Sequence, residues 1–235
     1  MRIRIKFAKY GAVKFIGHLD VMRYFQKAIR RAGIDVAYSA GFSPHQIMSF
    51  AAPLSVGHTS EGEYFDIEVN SFTGIKDLIS RLQSVMVEGI SILDAKVLDD
   101  GEGNAMASVA AASYLVTFRN EDILPKGWQD GLIDFYKRER IPIIKKTKKG
   151  EKEIDLKESI YELKAGSQKT SGTEIYLLLN ASSGGNIKPS FVLESFFQTI
   201  PFTLPPFALM IHRLEIYQNI GTQEERRLVP LIWEK

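Results

Sequence analysis

Ile3, Ile5 and Phe7 alternate with Arg2, Arg4 and Lys6, and a segment of period two can bury only one of its faces. Its apolar side needs a covering layer, and amphipathic helices follow at intervals that supply one. The spacing predicts a helix over 19–32 with Leu19, Met22, Phe25, Ile29 and Ala32 as its stripe. Gly17 or His18 caps it, Asp20 sits in its first turn, and Gly33 ends it. A strand near 47–52 follows, and another where Phe65, Ile67 and Val69 alternate with Tyr64, Asp66 and Glu68. An amphipathic helix over 75–87 and a strand over 91–98 complete a β-α-β-β-α-β order, that of a ferredoxin-like domain.

Residues 99–107 are small, polar and Gly-rich and read as a connection. The same order is then legible again. A strand over 112–119 precedes a helix over 122–138 carrying Trp128, Leu132, Ile133 and Phe135. An extended 142–146, a charged turn and a partly extended 154–163 lead to a strand over 173–180. Pro189 opens a helix over 190–199, and 207–217 is the last long strand. The expectation is an α+β chain of two tandem ferredoxin-like domains, at 1–100 and 112–218. Residues 101–111 form the linker, and 219–235 a tail tied down by Leu228, Ile232 and Trp233.

Composition narrows the function classes. The formal net charge is only +2, so a nucleic-acid role must rest on local basic clusters. No cysteine is present, which excludes disulfides, thiolate zinc sites and Cys-ligated clusters and fits a reducing cytoplasm. The first residues follow a strand pattern, not that of a signal peptide, and no apolar run is long enough to span a bilayer. No complete Walker or dinucleotide pattern occurs, and no cofactor is expected.

Three motifs carry a family resemblance: Phe15-Ile16-Gly17-His18-Leu19-Asp20, Tyr38-Ser39-Ala40-Gly41-Phe42-Ser43-Pro44-His45 and Ser49-Phe50-Ala51-Ala52-Pro53-Leu54. Lys148-Lys149-Gly150 with Glu153 to Leu156, Lys188-Pro189 with Val192-Leu193-Glu194, and His212-Arg213 add to it. At these residues the chain resembles the radical-SAM-associated bacterial domain of unknown function. That family occurs fused behind a cobalamin-binding radical SAM domain or encoded near ribonuclease G. The resemblance implies a radical SAM protein or ribonuclease G as partner and names no activity. Relatives carry Ser where Gly17 stands, which weakens side-chain capping here. Lacking the Cys triplet, this chain cannot itself bind the radical SAM cluster. The tandem architecture also resembles that of the CRISPR repeat-processing endoribonucleases, a likeness of fold shared by unrelated functions.

The candidate chemistry lies between His18 and Ser49. His18, at a helix N-terminus beside Arg23 and Lys27, suits an anion grip or a general acid or base, and equally a capping or core histidine. In the loop, Phe42 and His45 can stack on a base, Gly41 and Pro44 set the conformation, and Tyr38, Ser39 and Ser49 complete the candidate RNA- or ligand-binding segment with their hydroxyls. The alternative is a structural turn with Phe42 plugging the core. Arg23, Lys27, Arg30 and Arg31 on the helix, with Lys148 and Lys149 on the later hairpin, suit two sides of a phosphate channel, or a merely solvated surface. Arg2, Arg4 and Lys6 stay outside the site, because Asp66 and Glu68 face them across the expected sheet. No His spacing supports a metal site. The expected function is RNA binding in RNA processing or modification. The alternatives are a partner-presenting module for a radical SAM enzyme and a metal-independent endoribonuclease acting through His18 or His45.

Overall fold

The structure is a computed structural model that describes residues 1–147, 150–166, 173–222 and 224–233. Contacts divide the chain into two compact units, 1–110 with 213–235 and 111–212. The chain therefore leaves the first unit once and comes back to it. Residues 213–218, expected with the second domain, and the tail after them belong to the first unit.

In the first unit β1 (Arg2–Lys9) leads through a 3-10 turn (Gly11–Phe15) into α1 (His18–Arg31). Then come β2 (Met48–Phe50), β3 (Thr59–Glu68), α2 (Ile75–Gln83), β4 (Ile90–Val97) and the short α3 (Ala105–Ser108). The sheet is antiparallel in the order β4-β1-β3, with β2 on the far half of β3 so that Phe50 faces Phe65. Ile3, Ile5 and Phe7 are buried, as their alternation requires, against Val21, Phe25, Ala28 and Ile29 of α1 and Leu78 and Leu82 of α2. Four phenyl rings form the centre: Phe25 lies 4.7 Å from Phe7 and 4.6 Å from Phe65, and Phe50 stacks 5.1 Å from Phe65. The helix stripe differs from the expected one at its start. Leu19 stands two residues before Val21, about 200° around the helix, and is 65% exposed.

The opposite face of the same sheet is polar yet covered. Arg4 and Asp66 face each other in register, and the guanidinium donates both bonds of a fork to the carboxylate, at 2.8 and 3.0 Å. Arg4 also donates to the carbonyls of Gly103 (2.9 Å) and Leu231 (3.3 Å), and the Ala105 N–H donates to Asp66 (2.7 Å). Arg2 donates to the Glu102 carbonyl at 2.7 Å. Residues 101–111, read from the sequence as a linker, are thus fastened to the sheet and carry α3, capped by Asn104. β10 (Leu209–Asn219) begins in the second unit and ends in the first, where β11 (Leu228–Pro230) pairs with it. In the tail Leu231 is fully buried, where the sequence pointed to its neighbour Ile232. Gly62 permits the approach of β10, since a Cβ there would lie 2.5 Å from the Glu215 Cα.

The second unit holds β5 (Ala111–Phe118), α4 (Trp128–Lys137), a hairpin of β6 (Pro142–Thr147) and β7 (Gly150–Asp155), a 3-10 turn (Leu156–Ser159), β8 (Ile160–Ala165), β9 (Ile175–Asn180) and α5 (Pro189–Phe197). Its strand order is β5-β9-β8, all antiparallel. Helix α4 begins six residues later than the sequence spacing suggested (128 against 122). Pro125 lacks an N–H, and Gly127 takes a left-handed φ of 74°, which stops a helix from running through it.

Stripping one partner from the Arg4–Asp66 pair leaves a buried charge uncompensated. Asp66→Ala is therefore expected to cost about 3–5 kcal/mol in urea unfolding. Replacing both, Arg4→Met with Asp66→Leu, is expected to cost clearly less than the single change.

Candidate functional site

Arg23, Lys27 and Arg30 recur at helical spacing on α1 and all three are exposed. Arg23 pairs with Asp20 at 3.6 Å, but both side chains are in solvent, where such a pair contributes little. Arg31 is engaged differently. It donates to the Val85 carbonyl at 3.3 Å and lies over the Tyr24 ring at 5.9 Å, which fastens α1 to the turn after α2.

The segment after α1 folds back along it. Tyr38 and Gln46 form an antiparallel bridge, the Ser39 N–H donates to the His45 carbonyl at 2.8 Å, and the His45 N–H donates to Ser39 Oγ at 3.1 Å. Ser39 Oγ and His45 Nδ1, 2.9 Å apart, close the base of the loop a second time. Gly41 at φ 110° turns the tip, a conformation that side-chain-bearing residues avoid. Phe42 at that tip is wholly exposed, so it does not plug the core; Pro44 and His45 are exposed too, and Tyr38 is half exposed. Gln46, buried, donates from Nε2 to the Gln26 carbonyl of α1 at 3.2 Å and so ties the loop base to the middle of the basic helix. Its Oε1 has no partner among the described residues. Ser49 lies elsewhere: it sits on β2 opposite Asp66, and by strand alternation it faces away from Phe50. Lys148 and Lys149 lie outside the described residues.

His18 opens α1 edge-on to Phe50, ring centroids 5.5 Å apart. Burial lowers its pKa from 6.5, and the Lys9 charge lowers it further. The His18 imidazole is thus a half-buried group whose surroundings disfavour its protonated form, and His45 bonds in the loop instead. No carboxylate among the described residues bonds either ring. Sequence reasoning missed the charges beneath His18. Lys9, buried, donates to the Ile16 carbonyl at 3.0 Å, and burial lowers its pKa against the pull of Glu63. Arg213 donates to Glu63 at 2.8 Å and to the carbonyls of Pro53 (3.0 Å) and Ala52 (3.4 Å). Burial raises the Glu63 carboxyl pKa, and Arg213, Ser60 and Lys9 pull it back only in part. A signal was present in the sequence: the motif residues Ala52-Pro53 and His212-Arg213 belong together because the guanidinium of one holds the carbonyls of the other. Among the described residues no group of three His, Asp or Glu side chains is placed to hold a metal ion, and no helix is long and apolar enough to cross a membrane.

A depressed imidazole pKa means that the unfolded chain takes up the proton first. His18 therefore contributes stability that is complete above about pH 6.5 and is lost as pH falls through its folded pKa. An NMR titration of the imidazole C–H resonances is expected to give His18 a midpoint below 6.5. Lys9→Met should raise that midpoint without bringing it fully back, because burial, the larger cause, remains.

No curated protein matches the chain. Among solved structures it is similar to a Cbf5–Nop10–Gar1 complex, with 9% identity and a TM-score of 0.47 over 91% of this chain and 48% of that one, so it spans about half of that chain's length. It is also similar to the first two RRM domains of the yeast poly(U)-binding protein Pub1, with 10% identity and a TM-score of 0.21 over 91% of this chain and 98% of that one. Neither likeness carries a functional argument. The family of uncharacterized proteins conserved in bacteria (DUF2344) matches over residues 2–189, four fifths of the sequence, and the chain belongs to that family.

Proposed function

We propose that this chain is an RNA-binding module that grips a single strand with α1 and the loop at 38–46, in the service of RNA processing or modification. One observation carries the reading. A wholly exposed phenyl ring, Phe42, is held out on a loop whose base is bonded to the same helix that exposes Arg23, Lys27 and Arg30. A stacking surface beside a row of cations is what a single-stranded nucleic acid requires, since every base offers a π-face and every link a phosphate. The covered polar face of the first unit supports this choice of side. Arg4, Asp66 and the segment at 101–111 occupy ground on which many sheet-based RNA binders stack their bases.

The strand orders support two tandem ferredoxin-like domains. The first unit runs β1-α1-β2-β3-α2-β4 in the order β4-β1-β3-β2. In the second, β5-α4-β8-β9-α5 repeats the first five elements with its strands in the matching order β5-β9-β8, and the β6–β7 hairpin is inserted after α4. A radical SAM protein as partner remains a proposal that rests on the motif resemblance. Phe15 and Leu19, exposed apolar side chains at the start of α1, favour a second reading in which this end of the unit presents itself to a protein.

Salt separates the two readings. RNA binding should weaken steeply as salt rises, and the triple change Arg23→Ala, Lys27→Ala, Arg30→Ala should flatten the slope of log Kd against log salt by about two. Phe42→Ala should cost about 1–3 kcal/mol of binding to a short single-stranded RNA in fluorescence anisotropy. If neither change alters the affinity, RNA is not gripped here. Salt-insensitive capture of a radical SAM protein, abolished by Phe15→Ser and Leu19→Ser, would favour the second reading.

A further inference from the structure

We infer that the second unit carries a binding site for a small planar aromatic anion, in the cavity between the start of α4 and the loop after α5. The cavity holds about 250 Å³ of open space. An engineered apolar cavity of about 150 Å³ takes up benzene, so this one has room for a fused two-ring system. Its walls select for such a group. Trp128 and Phe196, both buried, and Phe202 line it, and Phe197 backs them with ring centroids 4.9 Å from Phe196 and 5.1 Å from Phe202. Rings braced in this way keep their orientation and offer faces and edges to a flat guest.

Gly131 lines the cavity on the α4 side. A Cβ placed there would sit 3.5 Å from the Phe196 ring, an ordinary contact distance, so the helix tolerates a side chain at this position. Pro125 and Pro201 also line the cavity and bring no backbone N–H. Lys126, exposed, is the one charged residue of the lining and supplies a partner for an acidic substituent that stays at the mouth. This site is independent of the RNA reading and shares no residue with it.

The test uses the full chain labelled with 5-fluorotryptophan, whose two tryptophans, Trp128 and Trp233, give separate fluorine resonances. 2-Naphthoate and adenosine 5′-monophosphate are the probes, so the two arms distinguish a carbocyclic acid from a nucleotide as the source of the ring. Saturable binding of either, with a Kd of about 0.01–1 mM and a shift of the Trp128 resonance, is the expected result. Gly131→Leu, with its melting temperature checked, should fill the space and weaken binding at least about tenfold. Lys126→Met should weaken the anion several-fold and leave the neutral 2-naphthylmethanol unchanged. Should Gly131→Leu fail to fold, the fluorine shifts of the unaltered chain still decide. Absence of saturable binding by both probes, a shift confined to Trp233, or equal affinity in a folded Gly131→Leu variant would overturn the site.

Discussion

The Arg4–Asp66 pair is the constraint on which the first unit most depends. Two charges removed from water lose hydration worth several kcal/mol each, and their attraction offsets this only if the remaining hydrogen-bonding positions are also filled. Here they are filled by chain from far away: Gly103 and Ala105 after β4, and Leu231 near the C-terminus. Such a pair adds little net stability over an apolar filling. It does require the connecting segment and the tail to sit where their carbonyls and N–H groups are needed, and so it settles which side of the sheet is closed.

A second buried set does the equivalent work at the end of the sheet where α1 begins. Arg213 reaches Glu63 and the carbonyls of Ala52 and Pro53, while Lys9 holds the carbonyl just before the helix. The start of α1 is therefore a positive place twice over, through its unsatisfied N–H groups and through the buried ammonium beside them. Burial, and to a lesser degree that ammonium, disfavours a proton on His18, whose ring packs on Phe50. On the outer surface of α1 the balance is opposite. Its cations keep their water, and the Arg23–Asp20 pair, 3.6 Å apart in solvent, does not neutralise the row as Asp66 neutralises Arg4.

Buried and exposed charges on this chain thus have separate parts. The buried ones join segments distant in sequence, and the exposed row of Arg23, Lys27 and Arg30 stays in solvent. The same division holds among the aromatic rings. Phe7, Phe25, Phe50 and Phe65 build the core, whereas Phe42 is held in solvent by a loop with three hydrogen bonds at its base. A ring held outward in that way leaves about 1.5–3 kcal/mol of hydrophobic stabilisation unrealised.

What could be read from the residues alone was whatever has a local period. The two-residue alternation of Ile3, Ile5 and Phe7 and the helical stripe around Phe25 and Ile29 determined the β-α-β-β-α-β order of the first half, and that alternation set Arg4 opposite an acid. Sequence spacing could not say that Leu19 faces solvent, that α4 waits until Trp128, or that Ser49 turns away from the loop. Each depends on the angle at which an element meets its neighbour. The tertiary structure alone decided that residues 213–235 join the first unit, that Arg213 holds Ala52 and Pro53, and that Gly131 lies beside the Phe196 ring. Periodicity is a property of neighbouring residues, whereas these are contacts between residues as far apart as the 161 positions from Ala52 to Arg213, and only the closed chain brings them together.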